Sequence, residues 1–245
     1  MRARRFLLRV PFLNRFIVPL PLLLLCGLAL LLLTFMQLAD AVTEGDAHVI
    51  DTWLLHRLEV AADAPPPVWL LEFVRDVTAL GSVGIISMIT TAAVGFLLLQ
   101  GKRGSALLIV VAVIGGLIAG TLLKIGFDRP RPDFQSTVVR VMTASFPSGH
   151  AMNSATAYLT LGVLLARTQR RLRLRIYLVA VAIAMTVMVG YSRVYLGVHW
   201  PSDVLAGWAI GSAWAMFCWL VATILQQSGR IEPEPEDGSG EAGGR

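Results

Sequence analysis

The sequence predicts an all-α integral membrane protein in which six helices cross the bilayer as one bundle. The first observation is composition: 56% of the 245 residues are hydrophobic and only 15% are charged, whereas soluble domains average about 25% charged residues. The second is that the apolar residues form long continuous runs. The third is that the basic residues gather at the ends of these runs, so the net charge of +5 indicates membrane topology and no nucleic-acid partner.

Six apolar segments are predicted to span the bilayer, as helices because lipid offers the backbone groups no other partner. They are residues 16–38, 78–99, 105–123, 151–166, 176–191 and 204–225. The fourth and fifth are short, and a charged or candidate catalytic residue bounds each of them. The spans form a domain over residues 16–225, between a basic N-terminal segment, 1–15, and a tail, 226–245, whose Glu, Pro and Gly content predicts disorder.

Orientation follows from Lys and Arg near the span ends, which stay on the cytoplasmic side. These residues are Arg2, Arg4, Arg5, Arg9, Arg15, Lys102, Arg103, Arg167, Arg170, Arg171, Arg173 and Arg175. They all fall on one side of a six-span path, so both termini are predicted to be cytoplasmic. The outer loop 39–77 and segments 124–150 and 192–203 then face outward.

The outer loop 39–77 contains apolar residues at helical spacing between positions 49 and 58, which predicts a short helix lying in the membrane interface. Two roles are open for this helix: a connector that shields the span ends, or a lid that guides a lipid substrate. The sequence Ala39-Asp40-Ala41 fits a signal-peptide cleavage pattern, but the first apolar run is too long for a signal peptide, so we expect span one to be retained.

Cysteines and glycines indicate structure rather than chemistry. Cys26 and Cys218 lie inside apolar runs, which excludes a disulfide scaffold and a cysteine metal site. Two small-residue pairs, at 116 and 120 and at 207 and 211, have the G-x-x-x-G spacing that permits close helix packing in lipid.

Polar and ionisable residues form three groups at the outer ends of the spans, where such residues are costly enough to indicate a function. The groups are Lys124-Ile-Gly-Phe-Asp-Arg-Pro-Arg131-Pro132, Phe146-Pro147-Ser148-Gly149-His150, and Ser192-Arg193 followed by His199 and Asp203. Together they place cations, histidines and a carboxylate on one predicted face of the membrane.

The cations Lys124, Arg131 and Arg193 suit phosphoryl transfer, in which negative charge develops on the oxygens around phosphorus, and arginine forks match phosphate oxygens. Ser148 is placed to cap the helix that follows, and Gly149 lets an anion approach the backbone closely.

The histidine and carboxylate of the third group are four residues apart, so Asp203 comes near the His199 imidazole if Pro201 starts span six. A carboxylate that holds one ring nitrogen leaves the other nitrogen free to act as a nucleophile.

The patterns K-x6-R-P, P-S-G-H and S-R-x5-H-x3-D, in this order, resemble the signature motifs of the type 2 phosphatidic acid phosphatase (PAP2) superfamily. The resemblance in topology covers about residues 16–225 and implies a six-helix membrane bundle of the PAP2 type. It also implies that His199 is the nucleophile that forms a phosphohistidine, Asp203 its orienting partner, and His150 the acid that protonates the leaving alkoxide. The implied phosphate-binding residues are Lys124, Arg131, Ser148, Gly149 and Arg193.

The resemblance implies no metal and no cofactor, in agreement with the lack of a carboxylate cluster among the motifs. Arg129, a further arginine in the first motif, has two open roles: binding the substrate or shaping the loop. Nothing in the sequence indicates an oligomeric state.

The expected activity is hydrolysis of a lipid phosphate or diphosphate at the outer leaflet. Phosphatidic acid, phosphatidylglycerophosphate, undecaprenyl diphosphate and lipid A phosphates share this headgroup chemistry, and the motifs do not separate them. Composition and size favour a multi-pass protein of the bacterial inner membrane whose active site faces the periplasm, among membrane lipids.

One alternative function is that of a non-catalytic transport or structural protein, which leaves the two outer histidines unexplained. A vanadate-dependent haloperoxidase shares the motifs, but those enzymes are soluble.

The predicted topology can be measured with reporter fusions. A reporter fused after Asp63 should lie outside and one fused after Gln169 inside, because the arginine clusters keep their loops cytoplasmic. If both reporters lie on the same side, the three motif groups do not share a face.

Overall fold

The protein was analysed as a computed structural model that describes residues 20–60, 67–132 and 144–229. Every secondary-structure element in these ranges is helical, which confirms the predicted all-α class. The helices are α1 (Leu20–Glu44), α2 (Ala47–Val60), α3 (Val68–Ala79), α4 (Val83–Leu99), α5 (Arg103–Leu123), α6 (Gly149–Ser154), α7 (Thr160–Arg167), α8 (Leu172–Tyr195) and α9 (Pro201–Gln227). A 3₁₀ turn, Lys124–Gly126, extends α5, and a π-helical turn, Ala155–Leu159, joins α6 to α7.

Four of the described helices, α1, α5, α8 and α9, are long and apolar enough to cross a bilayer, and the bent pair α3 and α4 would make a fifth span. The outer surface of the bundle fits lipid, since residues such as Leu30 and Leu33 on α1 are more than half exposed. The predicted number of six spans is not confirmed. The predicted fourth span, 151–166, is not among the helices that are long and apolar enough. This segment carries polar residues and packs centrally against α5, α8 and α9.

The predicted second span, 78–99, is not one straight helix. The chain breaks between α3 and α4, which are bent by 58°. Ser82 restarts the helix by accepting a hydrogen bond from the Ile85 N–H at 3.4 Å, and the Tyr158 hydroxyl donates to the carbonyl of Leu80 at 2.6 Å. The break is therefore stabilised by a side-chain cap and by a contact from the central helix, as we call the continuous segment of α6, the π-helical turn and α7 over Gly149–Arg167.

The predicted outer loop 39–77 is mostly helical. Helix α1 continues to Glu44, α2 occupies Ala47–Val60, and α3 begins at Val68. The short helix expected in this loop is thus confirmed. Its apolar residues Val49 and Ile50 are exposed, whereas Asp51 on the same helix is buried against the bundle. The side of α2 that packs against the rest of the bundle therefore includes a charged residue, which the apolar spacing does not predict.

The termini of the predicted domain are only partly covered. The N-terminal segment 1–15 and the predicted start of span one lie outside the described residues. Helix α9 extends to Gln227, so the tail begins later than the predicted 226; beyond 229 the tail lies outside the described ranges.

Close packing at the predicted small-residue pairs is confirmed. A Cβ atom at Gly207 would lie 2.8 Å from the Ser148 carbonyl oxygen, and one at Gly211 would lie 2.7 Å from the Ala155 Cβ. At Gly120 an added Cβ would lie 3.1 Å from the Met152 side chain. These contacts let the central helix lie directly on α9, which fixes the segment around Ser148 against the start of α9.

Replacement of Gly207 tests this packing. Gly207→Ala should destabilise the protein by roughly 1–3 kcal/mol, because the added methyl group displaces α6. Gly95→Ala on α4 is the matched control: nothing lies within 4 Å of its added Cβ, so it should be neutral or stabilising by about 1 kcal/mol. Thermal unfolding in detergent measures both, and an equal effect of the two variants would contradict the proposed packing.

Candidate active site

Helix ends and loops bring the three motif groups together at one end of the bundle. The first group follows α5, the second opens α6, and the third connects α8 to α9. The Ser148 N–H donates to the Asp203 carbonyl oxygen at 3.0 Å, and the Val198 N–H donates to the Arg193 carbonyl oxygen at 3.2 Å. Backbone hydrogen bonds therefore connect the second group to the third and hold the α8–α9 loop closed.

His199 is 1% exposed and lies between a carboxylate and a guanidinium. Its Nδ1 is 3.4 Å from Asp203 Oδ2, and its Nε2 is 3.2 Å from Arg131 Nη1. A guanidinium can only donate and an ionised carboxylate can only accept, so the two partners together favour the tautomer with the proton on Nδ1. The Nε2 lone pair then points toward the cation.

Local helix capping places the Asp203 carboxylate. Pro201 is the first residue of α9, as the sequence predicted, and Asp203 accepts a hydrogen bond from the Trp200 N–H at 2.9 Å. Its Oδ2 also accepts from the Ser145 hydroxyl at 2.5 Å, and its Oδ1 accepts from Arg129 Nη1 at 2.6 Å. Both oxygens of this fully buried carboxylate thus accept hydrogen bonds from protein groups, in addition to the contact of Oδ2 with the His199 imidazole.

Three cations surround the two histidines. Arg131 is held by the Val198 carbonyl oxygen at 2.7 Å, and Arg193 Nη1 donates to the Thr78 hydroxyl at 2.9 Å. The Arg193 Nε is buried and has no hydrogen-bond partner among the described residues. Lys124 Nζ would lie 2.9 Å from a Cβ added to Gly149. Gly149 therefore leaves room for an ammonium group beside the backbone at the start of α6.

Ser148 occupies the predicted cap position of α6 but does not make the capping hydrogen bond. Its hydroxyl is buried and has no partner within the described ranges. The prediction of a capping side chain is therefore wrong in its hydrogen bond, and the hydroxyl is available for an anion bound among the cations.

His150 lies beside the break between α3 and α4. A Cβ added to Gly81 would be 3.1 Å from the His150 Cβ and Cδ2, so the glycine permits this close approach. The pKa of His150 is lowered to about 3, mainly by burial and then by the positive charge of Arg193, with smaller effects from His199, Lys124 and Arg131. With this pKa the imidazole is neutral at physiological pH.

His199 is also neutral at physiological pH. Its pKa is lowered to about 4, chiefly because burial penalises the imidazolium. Within this net value Asp203 acts in the opposite direction, through its hydrogen bond and its charge, whereas Arg131 and Arg193 act in the same direction as burial. A neutral imidazole with an unprotonated Nε2 is the form that a nucleophile requires.

Four residues at the site were not predicted or had no assigned role: Ser145, Thr78, Asp51 and Arg129. Both terminal nitrogens of Arg129 are bonded to protein groups, Nη1 to Asp203 and Nη2 to Asp51. These contacts favour the role of shaping the loop over the role of binding the substrate. Ser145 directly precedes the second motif, whereas Thr78 and Asp51 lie far from the motifs in sequence and carry no local signal.

The chain is similar to known proteins of one family. The model of the PAP2 superfamily matches residues 105–226. The chain is 32% identical over 145 residues to phosphatidylglycerophosphatase B of Bacillus subtilis, covering 58% of this chain and 70% of that protein. It is 42% identical over 73 residues to undecaprenyl-diphosphatase of Sulfolobus acidocaldarius, covering 30% of this chain and 31% of that protein.

The fold is similar to the crystal structure of a transmembrane PAP2-type phosphatidylglycerolphosphate phosphatase from Bacillus subtilis. The TM-score is 0.73 at 27% identity, and the match covers 82% of this chain and 98% of that chain. The likeness thus extends well beyond the three motif groups.

Proposed function

The chain belongs to the PAP2 superfamily, and from this premise we propose that it is a membrane phosphatase that hydrolyses a lipid phosphate or diphosphate through a phosphohistidine on His199. The observation that carries the proposal is the environment of this residue. Its Nδ1 faces the buried Asp203 carboxylate and its Nε2 faces Arg131. A phosphate bound by Arg131 would lie within reach of the unprotonated Nε2.

The first half of the proposed reaction transfers the phosphoryl group to the enzyme. Nε2 attacks phosphorus, so an N–P bond forms as the O–P bond to the lipid breaks. His150 gives its proton to the leaving alkoxide, which departs as an alcohol, or as a lipid monophosphate where the substrate is a diphosphate. Asp203 stabilises the positive charge that develops on the His199 ring.

The second half returns the enzyme to its starting state. His150, now neutral, accepts a proton from a water molecule that attacks phosphorus, and the N–P bond breaks to release inorganic phosphate. The charge of the phosphoryl group is held throughout by Lys124, Arg131 and Arg193, with the Ser148 hydroxyl and the Gly149 N–H as further donors.

The proposed substrates are lipids with a phosphomonoester or diphosphate headgroup, in the class of phosphatidic acid, phosphatidylglycerophosphate and undecaprenyl diphosphate. The proposed location is the bacterial cytoplasmic membrane, with the site facing the periplasm. The cations bind the headgroup, and the apolar surface of the bundle lies in the same membrane as the lipid tail. The chemistry needs no metal, and we expect full activity in the presence of a chelator.

Phosphate release from the purified full-length chain in detergent tests the proposal. His199→Ala should abolish turnover, and His150→Gln should slow it by roughly 10² to 10⁴, the range of acid-base catalysis. His56→Gln, which changes an exposed histidine of α2, should keep wild-type activity. Wild-type protein that releases no phosphate from any of these lipids would favour the non-catalytic alternative, and an active His199→Ala variant would exclude the proposed nucleophile.

The pH dependence provides a second test. His150 must be protonated to act as the acid, but burial and the nearby cations lower its pKa to about 3. A bound phosphate offsets those cations and raises the pKa. The basic limb of kcat, which reports the complex, should therefore lie at higher pH than that of kcat/KM, which reports the free enzyme.

Profiles on a short-chain soluble lipid phosphate measure this difference. His150→Gln is the control, because a limb due to ionisation of the substrate persists in this variant, whereas a limb due to His150 is lost. Coincident basic limbs of kcat and kcat/KM in the wild type would contradict the assignment of His150 as an acid charged by the substrate.

A further inference from the structure

A buried acidic residue of the outer helix α2 is connected to the candidate active site. Asp51 is 2% exposed, and its Oδ2 accepts a hydrogen bond from Arg129 Nη2 at 2.7 Å. Arg129 Nη1 donates to Asp203 Oδ1 at 2.6 Å. One guanidinium therefore bridges two carboxylates, one on α2 and the other next to His199.

Asp51 also holds the first turn of α9 directly. Its Oδ1 accepts from the Ser202 N–H at 2.9 Å, and its Oδ2 accepts from the Ser202 hydroxyl at 2.5 Å. Arg129 Nη1 in turn donates to the Ser202 Oγ at 2.8 Å. Both oxygens of Asp51 are thus used in fixing the turn that carries Asp203, and neither is directed to a substrate.

Arg129 lies deep in this network. Its side chain is 10% exposed, and its guanidinium lies 5.5 Å from the ring centroid of Trp200. Planar stacking and fork geometry together restrict the orientation of a guanidinium. The cation is therefore held from three directions, by Trp200, by Asp203 and by Asp51.

We propose that Asp51 is a positioning residue for the nucleophile, acting through Arg129 and Ser202 on the Asp203 carboxylate that orients His199. This inference rests on the proposed function in taking His199 as the nucleophile. It assigns to the outer helix a role in the chemistry, besides the connector and lid roles that the sequence left open.

The charges of the network predict the sign of its effect on His199. Two carboxylates and one guanidinium give a net charge of minus one beside the imidazole, which favours the imidazolium. The other charged or titratable groups facing His199 are Arg131 of the first motif loop, Arg193 on α8 and His150 on α6. None of these is changed in a variant at Asp51, so a shift there reports the network.

The first measurement is independent of turnover. The chain has four histidines, so histidine-selective ¹³C labelling and NMR in detergent can follow the His199 ring, assigned by comparison with His199→Gln. In Asp51→Asn the titration midpoint of His199 should fall by up to roughly one pH unit, because the variant removes a negative charge and leaves Arg129 with one counter-charge instead of two.

Arg129→Gln should act in the opposite direction, because it removes a positive charge from the same network. The midpoint of His199 should rise, and in the double variant Asp51→Asn/Arg129→Gln it should return toward the wild-type value. Asp51→Glu keeps the charge and should leave the midpoint in place. The matched control is Asp46→Asn, an exposed carboxylate just before α2, which should not move the midpoint.

Turnover is the second measurement. Asp51→Asn should lower kcat roughly tenfold to a hundredfold, the effect of losing a hydrogen bond to a charged group, with little change in KM, because the network does not contact the substrate. The acidic limb of kcat/KM should move in the same direction as the NMR midpoint. The position of a limb does not depend on the amount of folded enzyme, so partial misfolding cannot mask the result.

The outcomes separate this inference from the proposed function. Opposite shifts of the midpoint in Asp51→Asn and Arg129→Gln, with kcat reduced in the former, would support it. A His199 midpoint that stays in place in Asp51→Asn, or falls in Arg129→Gln, would overturn it even if the wild type is an active phosphatase. Opposite shifts in a protein that releases no phosphate would retain the coupling but overturn both the proposed function and the positioning role.

Discussion

The carboxylate of Asp203, at the start of α9, is fully buried from water. The surrounding chain supplies the hydrogen bonds that solvent would otherwise provide. An ionised carboxylate in a protein interior is costly unless its oxygens are hydrogen-bonded. Asp203 receives donors from its own helix turn, from Ser145 and from Arg129. The last two belong to separate segments, one before α6 and one after α5. Satisfying a single buried charge therefore draws together the parts of the chain that carry the candidate chemistry. His199, four residues earlier, then lies where one ring nitrogen faces this charge.

The close approach of helices makes such an arrangement possible in lipid, where packing rather than the hydrophobic effect drives helix association. Gly207 and Gly211 let the central helix rest on α9, so that the Ser148 N–H can reach the Asp203 carbonyl oxygen. Gly81 lets the break between α3 and α4 approach His150. Each of these glycines lies where a backbone or a candidate catalytic side chain passes, so a larger side chain there would disturb packing and site together.

The sequence predicted the helical class and the convergence of the motif groups, because apolar runs, flanking arginines and motif spacing are local features. Its errors have physical reasons. Apolar composition predicts one segment for the second span, since it does not reveal the helix restart at Ser82. Apolar spacing in the outer loop likewise does not indicate the buried face of α2 with Asp51. Asp51 and Thr78 act through hydrogen bonds to residues about 80 or more positions away, and a partner so distant in sequence leaves no pattern around the residue itself. The sequence leaves two roles open for Arg129, and its hydrogen bonds to two carboxylates favour one of them.

The low pKa of His150 conflicts at first sight with its role as an acid in the proposed mechanism. The cations that would bind phosphate also oppose the proton that His150 needs, and burial acts in the same direction. In the proposed reaction the conflict disappears when the substrate binds, because its negative charge offsets the cations and allows the imidazole to take up a proton. The phosphoryl group keeps that charge after transfer to His199, so His150 can also accept a proton from the attacking water. Once inorganic phosphate leaves, the cations again disfavour the imidazolium and the proton is released. In the proposed mechanism the acid is thus charged only while a phosphoryl group occupies the site, and the residues that would bind the phosphate also control the proton that the reaction uses.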